Sequence, residues 1–367
     1  MIVSDRHTIN REIHNVLIIQ LGDIGDVVWT TPTFWAVKGA YSHANISVLL
    51  REGYGCLLAS DPAIHRIFEV KTNLGGFLYS TIKHLQLIKE LRREKFDLVF
   101  DLRSGDRGAI MARLTGAPIR ASLLYQDVSF WRNMLFTHLL MEPAPPKDRV
   151  LGAAEQSLRI IRGFGINAET TIPMLRVSDK VMNVVHRILM ESGIKPKMSD
   201  SFYRFITINP FSRWAYKEWS YDKWVGVIDW LWDEFHIPAV IIGSRGEAVR
   251  ASELVNKCSG TAYSLAGKTT LAELAGVLSL TNFHLGVDSA APLIAAAVGT
   301  PTITIYGPSD WRDWSPVGKK HRIIMSDMDC VPCYKKGCNG SGQSMCLKNL
   351  EINLVQTVVR EEFEKVL

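Results

Sequence analysis

Gln20-Leu21-Gly22-Asp23-Ile24-Gly25-Asp26-Val27-Val28-Trp29-Thr30-Thr31-Pro32 is the stretch on which the reading of this chain turns. Immediately before it, Val16-Leu17-Ile18-Ile19 is an apolar run of the kind that fills a parallel strand covered on both faces. Residues 27–38 are amphipathic and read as a helix. Strand, glycine turn and helix start therefore follow one another, and open α/β sheets bind ligands beyond the carboxyl ends of such strands. The turn is unusual in carrying two carboxylates. A phosphate-binding turn offers glycines and bare N–H groups, and Asp23 and Asp26 would repel a phosphate. The turn fits a neutral or cationic partner better, such as a hydroxyl awaiting deprotonation. The competing reading is a helix N-cap plus a first-turn acid that favours the helix dipole.

The chain has 367 residues, enough for two domains of ordinary size. Hydrophobic residues make up 47% and charged residues 22%, which places it among globular proteins rather than disordered or fibrous ones. The N-terminus lacks the apolar core of a signal peptide, and the apolar stretch 290–298 is too short to span a bilayer. The expected location is the cytoplasm, with a peripheral position on the inner membrane open. Net charge is +5, and residues 1–180 hold most of the excess, with 22 Lys and Arg against 18 Asp and Glu. That modest excess, without a recognition motif, argues against nucleic acid. The cations cluster at Lys83, Lys89, Arg92, Arg93 and Lys95, and again at Arg103, Arg107, Arg113 and Arg120. The first cluster interleaves Leu85, Leu87, Ile88 and Leu91 and reads as the solvated face of a helix.

Strand and helix patterns alternate outward from the opening turn. Strands are expected at residues 44–50, 66–70 and 96–102, with a helix over 81–95 and loops at 104–108 and 141–147. A helix over 151–163 follows. A second alternation begins with the strand at 205–209, then the helix at 221–235, the strand at 239–242, helices reaching Cys258 and over 271–278, and strands at 282–287 and 302–306. Alternation of this kind builds a parallel, doubly wound sheet. The domains are read as 1–180, 181–350 and a terminal helix, 351–367. Neither first strand is followed by G-x-G-x-x-G, which counts against a nicotinamide dehydrogenase.

Three loops of the second half follow strands and share one sheet edge. Residues 211–220 bring Ser212, Arg213 and Lys217, a hydroxyl and two cations suited to a diphosphate. Residues 243–247 bring Glu247, a carboxylate suited to a ribose diol. Asp288 and Ser289 enter a helix whose first N–H groups can take an anion. Capping and surface ion pairs are the alternative for each alone. Farther on, Cys330, Cys333, Cys338 and Cys346 form a C-x2-C-x4-C-x7-C pattern. In a reducing compartment it is open to a structural metal, unligated thiols or disulfides.

Several runs then stand in a telling order. They are residues 21–32; Phe96-Asp97-Leu98-Val99 with Asp101-Leu102-Arg103; Lys217-Glu218-Trp219-Ser220; and Leu265-Ala266-Gly267-Lys268-Thr269-Thr270-Leu271. Asp288-Ser289 follows, with Ala295-Ala296-Ala297, Gly299-Thr300-Pro301 and Tyr306-Gly307-Pro308. Over nearly the whole chain this resembles glycosyltransferase family 9, the ADP-heptose:lipopolysaccharide heptosyltransferases. The resemblance departs at Ala290 and Leu293, where the family pattern has Gly and His.

The resemblance implies a GT-B fold, two Rossmann-like domains whose parallel sheets face across a cleft. It implies inverting transfer of heptose from an ADP-sugar to a lipopolysaccharide core or related glycolipid, with no cofactor required. Carried over by position, Asp26 is the general base and Lys217 the ligand to donor phosphate, with Ser212 beside it. Glu247 would hold the ribose, and Asp288 and Ser289 would line the donor site. Arg103, Arg107 and the 81–95 helix are the cations expected to meet glycolipid phosphates or the inner membrane surface. The cysteine cluster is similar to one that some family members carry in this place. A nucleotide-sugar epimerase of similar architecture, or a catalytically silent binding protein of polysaccharide assembly, are the alternatives.

Overall fold

The computed structural model describes residues 1–3, 7–71, 77–141, 152–196 and 203–366. The chain divides into two compact units, Met1–Arg176 and Val177–Leu367. The loop expected at 141–147 lies, beyond its first residue, outside the described residues, as does the first residue of the helix expected at 151–163.

The first unit holds β1 (Ile2–Val3), β2 (Asn15–Ile19), β3 (Asn45–Arg51), β4 (Arg66–Val70), β5 (Leu98–Asp101), β6 (Ile119–Leu123) and β7 (His138–Leu140). Their order across the sheet is β1-β7-β6-β5-β2-β3-β4, and each neighbouring pair is parallel. Val16 to Ile19 are wholly buried at the centre, as a strand with helices on both faces requires. The chain leaves β2 for β3 and β4 on one side, then returns to β5 on the other. The order therefore reverses between β2 and β5, and their carboxyl ends open a crevice there.

The second unit repeats the plan with β8 (Ile206–Asn209), β9 (Ala239–Ile241), β10 (Ala262–Ser264), β11 (His284–Val287), β12 (Thr302–Tyr306) and β13 (His321–Met325). The order is β10-β9-β8-β11-β12-β13, again parallel throughout. Here the reversal falls between β8 and β11.

Two sequence expectations change. The helix read at 27–38 is two helices, Ile24–Trp29 and Thr31–Ala40. It starts earlier because Asp23 occupies the N-cap, and it breaks at Thr30, whose hydroxyl donates to the Asp26 carbonyl at 2.7 Å just before Pro32. Strands β1, β6, β7, β10 and β13 were not marked by the pattern. They lie at or near sheet edges, and polar residues interrupt β6, β10 and β13, so no continuous apolar run announces them.

The terminal helix, Ile352–Val366, belongs to the core of the second unit. Val355, Val359 and Phe363 are buried, and the Phe363 ring stacks on Phe235 at 4.3 Å and meets Phe283 edge-on at 5.1 Å. Phe363→Ala is expected to destabilise the protein by about 3–5 kcal/mol, read as a lower midpoint of denaturant unfolding.

Two histidines of the second sheet are held neutral. Burial pushes His284 down to about 3, with its Nδ1 3.0 Å from the Thr207 hydroxyl. Burial, helped by Lys320, pushes His321 down to about 4. An unfolded histidine binds its proton near pH ~6.5, so the unfolded chain takes up protons first on acidification. The stability from these two groups is complete above that pH and is lost as pH falls towards 4 and then 3. Melting of the His284→Gln variant is expected to show a shallower loss between pH 6.5 and 4 than melting of the parent.

Candidate functional site

At the β2–β5 reversal the turn after β2 is tightly built. Arg51 donates through Nε to the Leu21 carbonyl at 2.7 Å and pairs through Nη1 with Asp23 Oδ1 at 2.8 Å. Asp23 therefore shapes the turn. The Asp26 carboxylate is held at both oxygens. Its Oδ2 accepts from the Asp23 N–H at 2.8 Å, and its Oδ1 accepts from Arg103 Nη1 at 2.8 Å. The capping reading of the sequence is therefore real, and it uses one oxygen only. Asp26 is 12% exposed and Arg103 38%, so the pair reaches solvent at the end of the strands. Each carboxylate oxygen keeps a second lone pair that can accept a proton. Gly22 makes this possible, because a Cβ there would stand 2.3 Å from Asp26 Oδ2.

Arg103 comes from the turn after β5. Arg107, the other cation expected here, is exposed on the first turn of the helix Asp106–Leu114 and is not part of this pair. Behind Arg103 lies a buried pair that the sequence reading did not single out. Asp101, the last residue of β5, meets Arg132 Nη2 at 3.3 Å, and both side chains are inaccessible to water. Burial pushes the Asp101 carboxyl up to about 7 against the pull of Arg132. Asp101 could have been suspected as a strand-end carboxylate. Arg132 carries no local signal.

At the β8–β11 reversal the second set converges. Lys217 Nζ pairs with Asp288 Oδ2 at 2.6 Å, and the Ser212 hydroxyl donates to the Asp288 carbonyl at 3.4 Å. Ser289 Oγ accepts from Asn209 Nδ2 at 3.0 Å. The loop carrying Ser212 and Lys217 is braced from behind. Glu218 accepts from the Ser212 N–H at 3.0 Å and takes both terminal nitrogens of Arg250. Arg250 in turn lies over the rings of Phe211 and Tyr221. Asn209, Glu218 and Arg250 are the members that sequence reading missed. Glu247 sits on the adjacent strand end and caps its own turn, its Oε2 accepting from the Ser244 N–H at 2.6 Å. Leu293, in the place where the family pattern has His, is buried in the helix Ala290–Ala297.

The cysteine loop was open to a structural metal, unligated thiols or disulfides. Cys330 is exposed, Cys333 and Cys338 are half-buried, Cys346 is buried, and all are free thiols. Burial, reinforced by the neighbouring cysteines, holds the Cys346 thiol above the usual range. Among the described residues no group of three or more His, Cys, Asp or Glu side chains converges to hold a metal ion.

The family description "Glycosyltransferase family 9 (heptosyltransferase)" matches residues 84–342. The chain belongs to this family. It is 30% identical over 301 residues to lipopolysaccharide heptosyltransferase 3 of Escherichia coli, covering 79% of this chain and 84% of that one. It is 22% identical over 327 residues to lipopolysaccharide heptosyltransferase 1 of Pseudomonas aeruginosa, covering 88% and 87%. A family 9 glycosyltransferase of Veillonella parvula superposes with a TM-score of 0.80 at 18% identity, over 97% of this chain and 99% of that one. An Escherichia coli heptosyltransferase solved with ADP-2-deoxy-2-fluoro heptose gives 0.70 at 18% identity, over 95% and 99%. The protein is thus a glycosyltransferase of the heptosyltransferase family, with the two Rossmann-like units of the GT-B fold. Among the described residues no helix is long and apolar enough to cross a membrane.

Gly22→Ala is expected to expel the Asp26 carboxylate from its seat and to strain the turn, since the added Cβ would stand 2.3 Å from Asp26 Oδ2 and 2.7 Å from Asp26 Cβ. Turnover should fall by about 10²-fold, checked by steady-state kinetics at a temperature where the variant's melting curve shows it folded.

Proposed function

We propose that the protein moves a heptose, or a closely related sugar, from an ADP-sugar to a hydroxyl of the lipopolysaccharide core, inverting the anomeric carbon. The observation that carries this reading is the Asp26 carboxylate, held at the first strand reversal with a lone pair to spare on each oxygen. The relatives named above support the substrate class. Two are named for lipopolysaccharide heptose transfer, and one was solved with an ADP-heptose analogue.

The roles follow from charge. Asp26 accepts the proton of the acceptor hydroxyl as that oxygen bonds to the anomeric carbon. The bond from that carbon to the diphosphate oxygen breaks, and its electron pair leaves on ADP. Approach and departure on opposite faces invert the centre. Lys217 exchanges Asp288 for the diphosphate and takes up its growing charge, helped by the N–H groups that open the helix Ala290–Ala297. Ser212 and Ser289 supply hydroxyl donors beside it, and Glu247 accepts from the ribose. Arg107 is a cation available to an acceptor phosphate.

Asp26→Asn is expected to lower turnover by ~10²–10⁴-fold while ADP binding, measured by calorimetry, stays unchanged. Turnover at the parent rate in that variant would remove Asp26 from the role of base. A panel of ADP-, UDP- and GDP-sugars is expected to show preference for the ADP-sugar. Conversion of the donor with no acceptor present would favour the epimerase reading instead.

A further inference from the structure

The base at the first strand reversal is oriented from a distance. Residue 103 lies in the turn between β5 and the helix Asp106–Leu114, and its backbone is held at both polar groups. Its N–H donates to Asp101 Oδ1 at 3.3 Å, and its carbonyl accepts from Arg132 Nη2 at 2.6 Å. The same Arg132 nitrogen reaches Asp101 Oδ2 at 3.3 Å and Ser122 Oγ at 3.1 Å. The guanidinium lies 4.8 Å from the Tyr125 ring centre and 4.9 Å from that of Phe136, and Nη1 donates to Asn133 Oδ1 at 3.2 Å. Gly108 leaves room for the arrangement, since a Cβ there would stand 2.5 Å from Asp101 Oδ1.

A wholly buried arginine and aspartate are costly to desolvate, and an apolar pair of similar size is often as stable or more so. Packing alone does not explain them. What they accomplish is geometric. With its N–H and C=O both held, residue 103 has its Cα–Cβ bond set in one direction, and from there its guanidinium meets Asp26 Oδ1 at 2.8 Å.

We propose that Arg132 and Asp101 are positioning residues for sugar transfer, fixing the Arg103 backbone so that its guanidinium sets the orientation of the Asp26 carboxylate. The inference rests on the reading of Asp26 as the base. Neither residue touches substrate. Each acts through Arg103, and Arg103 acts through its bond to Asp26.

The test is a double-mutant cycle on the full-length protein, with ADP-heptose as donor and a heptose-deficient lipopolysaccharide core as acceptor. Arg132→Lys keeps a buried cation but loses the planar fork that reaches Asn133 through Nη1 while Nη2 serves Asp101, Ser122 and the Arg103 carbonyl, and loses the flat face over Tyr125 and Phe136. It is expected to lower kcat by about 10–100-fold, with ADP affinity and the KM for donor unchanged. In the Asp26→Asn background the same substitution is expected to cost less than about 2-fold, because an already disabled base has no orientation left to lose. Arg103→Lys, which disturbs no buried group, should show the same coupling. If Arg132→Lys fails to fold, the paired Asp101→Asn/Arg132→Gln variant, which removes both buried charges, carries the same expectation. Equal losses in the parent and in the Asp26→Asn background would overturn the proposal, as would an unchanged kcat. If Asp26→Asn itself turned over at the parent rate, the reading of the base would fall instead, and the two failures are thereby told apart.

Discussion

A parallel sheet delivers every carboxyl end to one edge, and a reversal of strand order opens that edge at a single place. Both units of this protein are organised by that constraint. In the first, the reversal between β2 and β5 brings Asp26 and Arg103 together. In the second, the reversal between β8 and β11 brings Lys217 and Asp288 together. Each reversal thus carries an exposed-edge ion pair between side chains that are distant in sequence and adjacent in space. The two carboxylates are equally buried, and the pairs differ in their cations and in what lies behind them.

The bracing behind the two pairs is of different kinds. In the first unit it is ionic and buried, with Asp101 and Arg132 inaccessible to water beneath Arg103. In the second it is half-exposed and aromatic, with Arg250 gripping Glu218 and lying over Phe211 and Tyr221. Glycines complete the first. Gly22 lets the turn close on the Asp26 carboxylate, and Gly108 lets a helix close on Asp101. In each case the side chain that glycine lacks would occupy the space of a carboxylate.

The helix reading illustrates how local rules combine. Asp23 and Asp26 are a cap and a first-turn acid, as a purely structural account would have it. They are also partners of Arg51 and Arg103. A carboxylate has four lone-pair sites, so serving the backbone at one oxygen leaves the other for a cation and still spares a lone pair on each. Capping the helix therefore leaves Asp26 able to take the proposed role of base.

The α/β class and the core strands were legible in the residues because β2, β5, β8 and β11 are short, rich in apolar residues and buried on both faces. The strand-end positions of Asp26, Lys217 and Asp288 were legible for the same reason, since each follows such a run. The edge strands β1, β10 and β13 were not, because half-exposed strands such as β10 carry no continuous apolar signal. Nor was the helix break at Thr30, which depends on a side-chain hydroxyl meeting a carbonyl. Arg132 was invisible, because an arginine's burial depends on acceptors supplied by β5, β6 and the turn at residue 103. The sequence by itself determined where the strands end and which chemical groups stand there. Only the tertiary structure decided which of those groups meet, because strand order and the backbone carbonyls that bury a charge are set by contacts between distant segments.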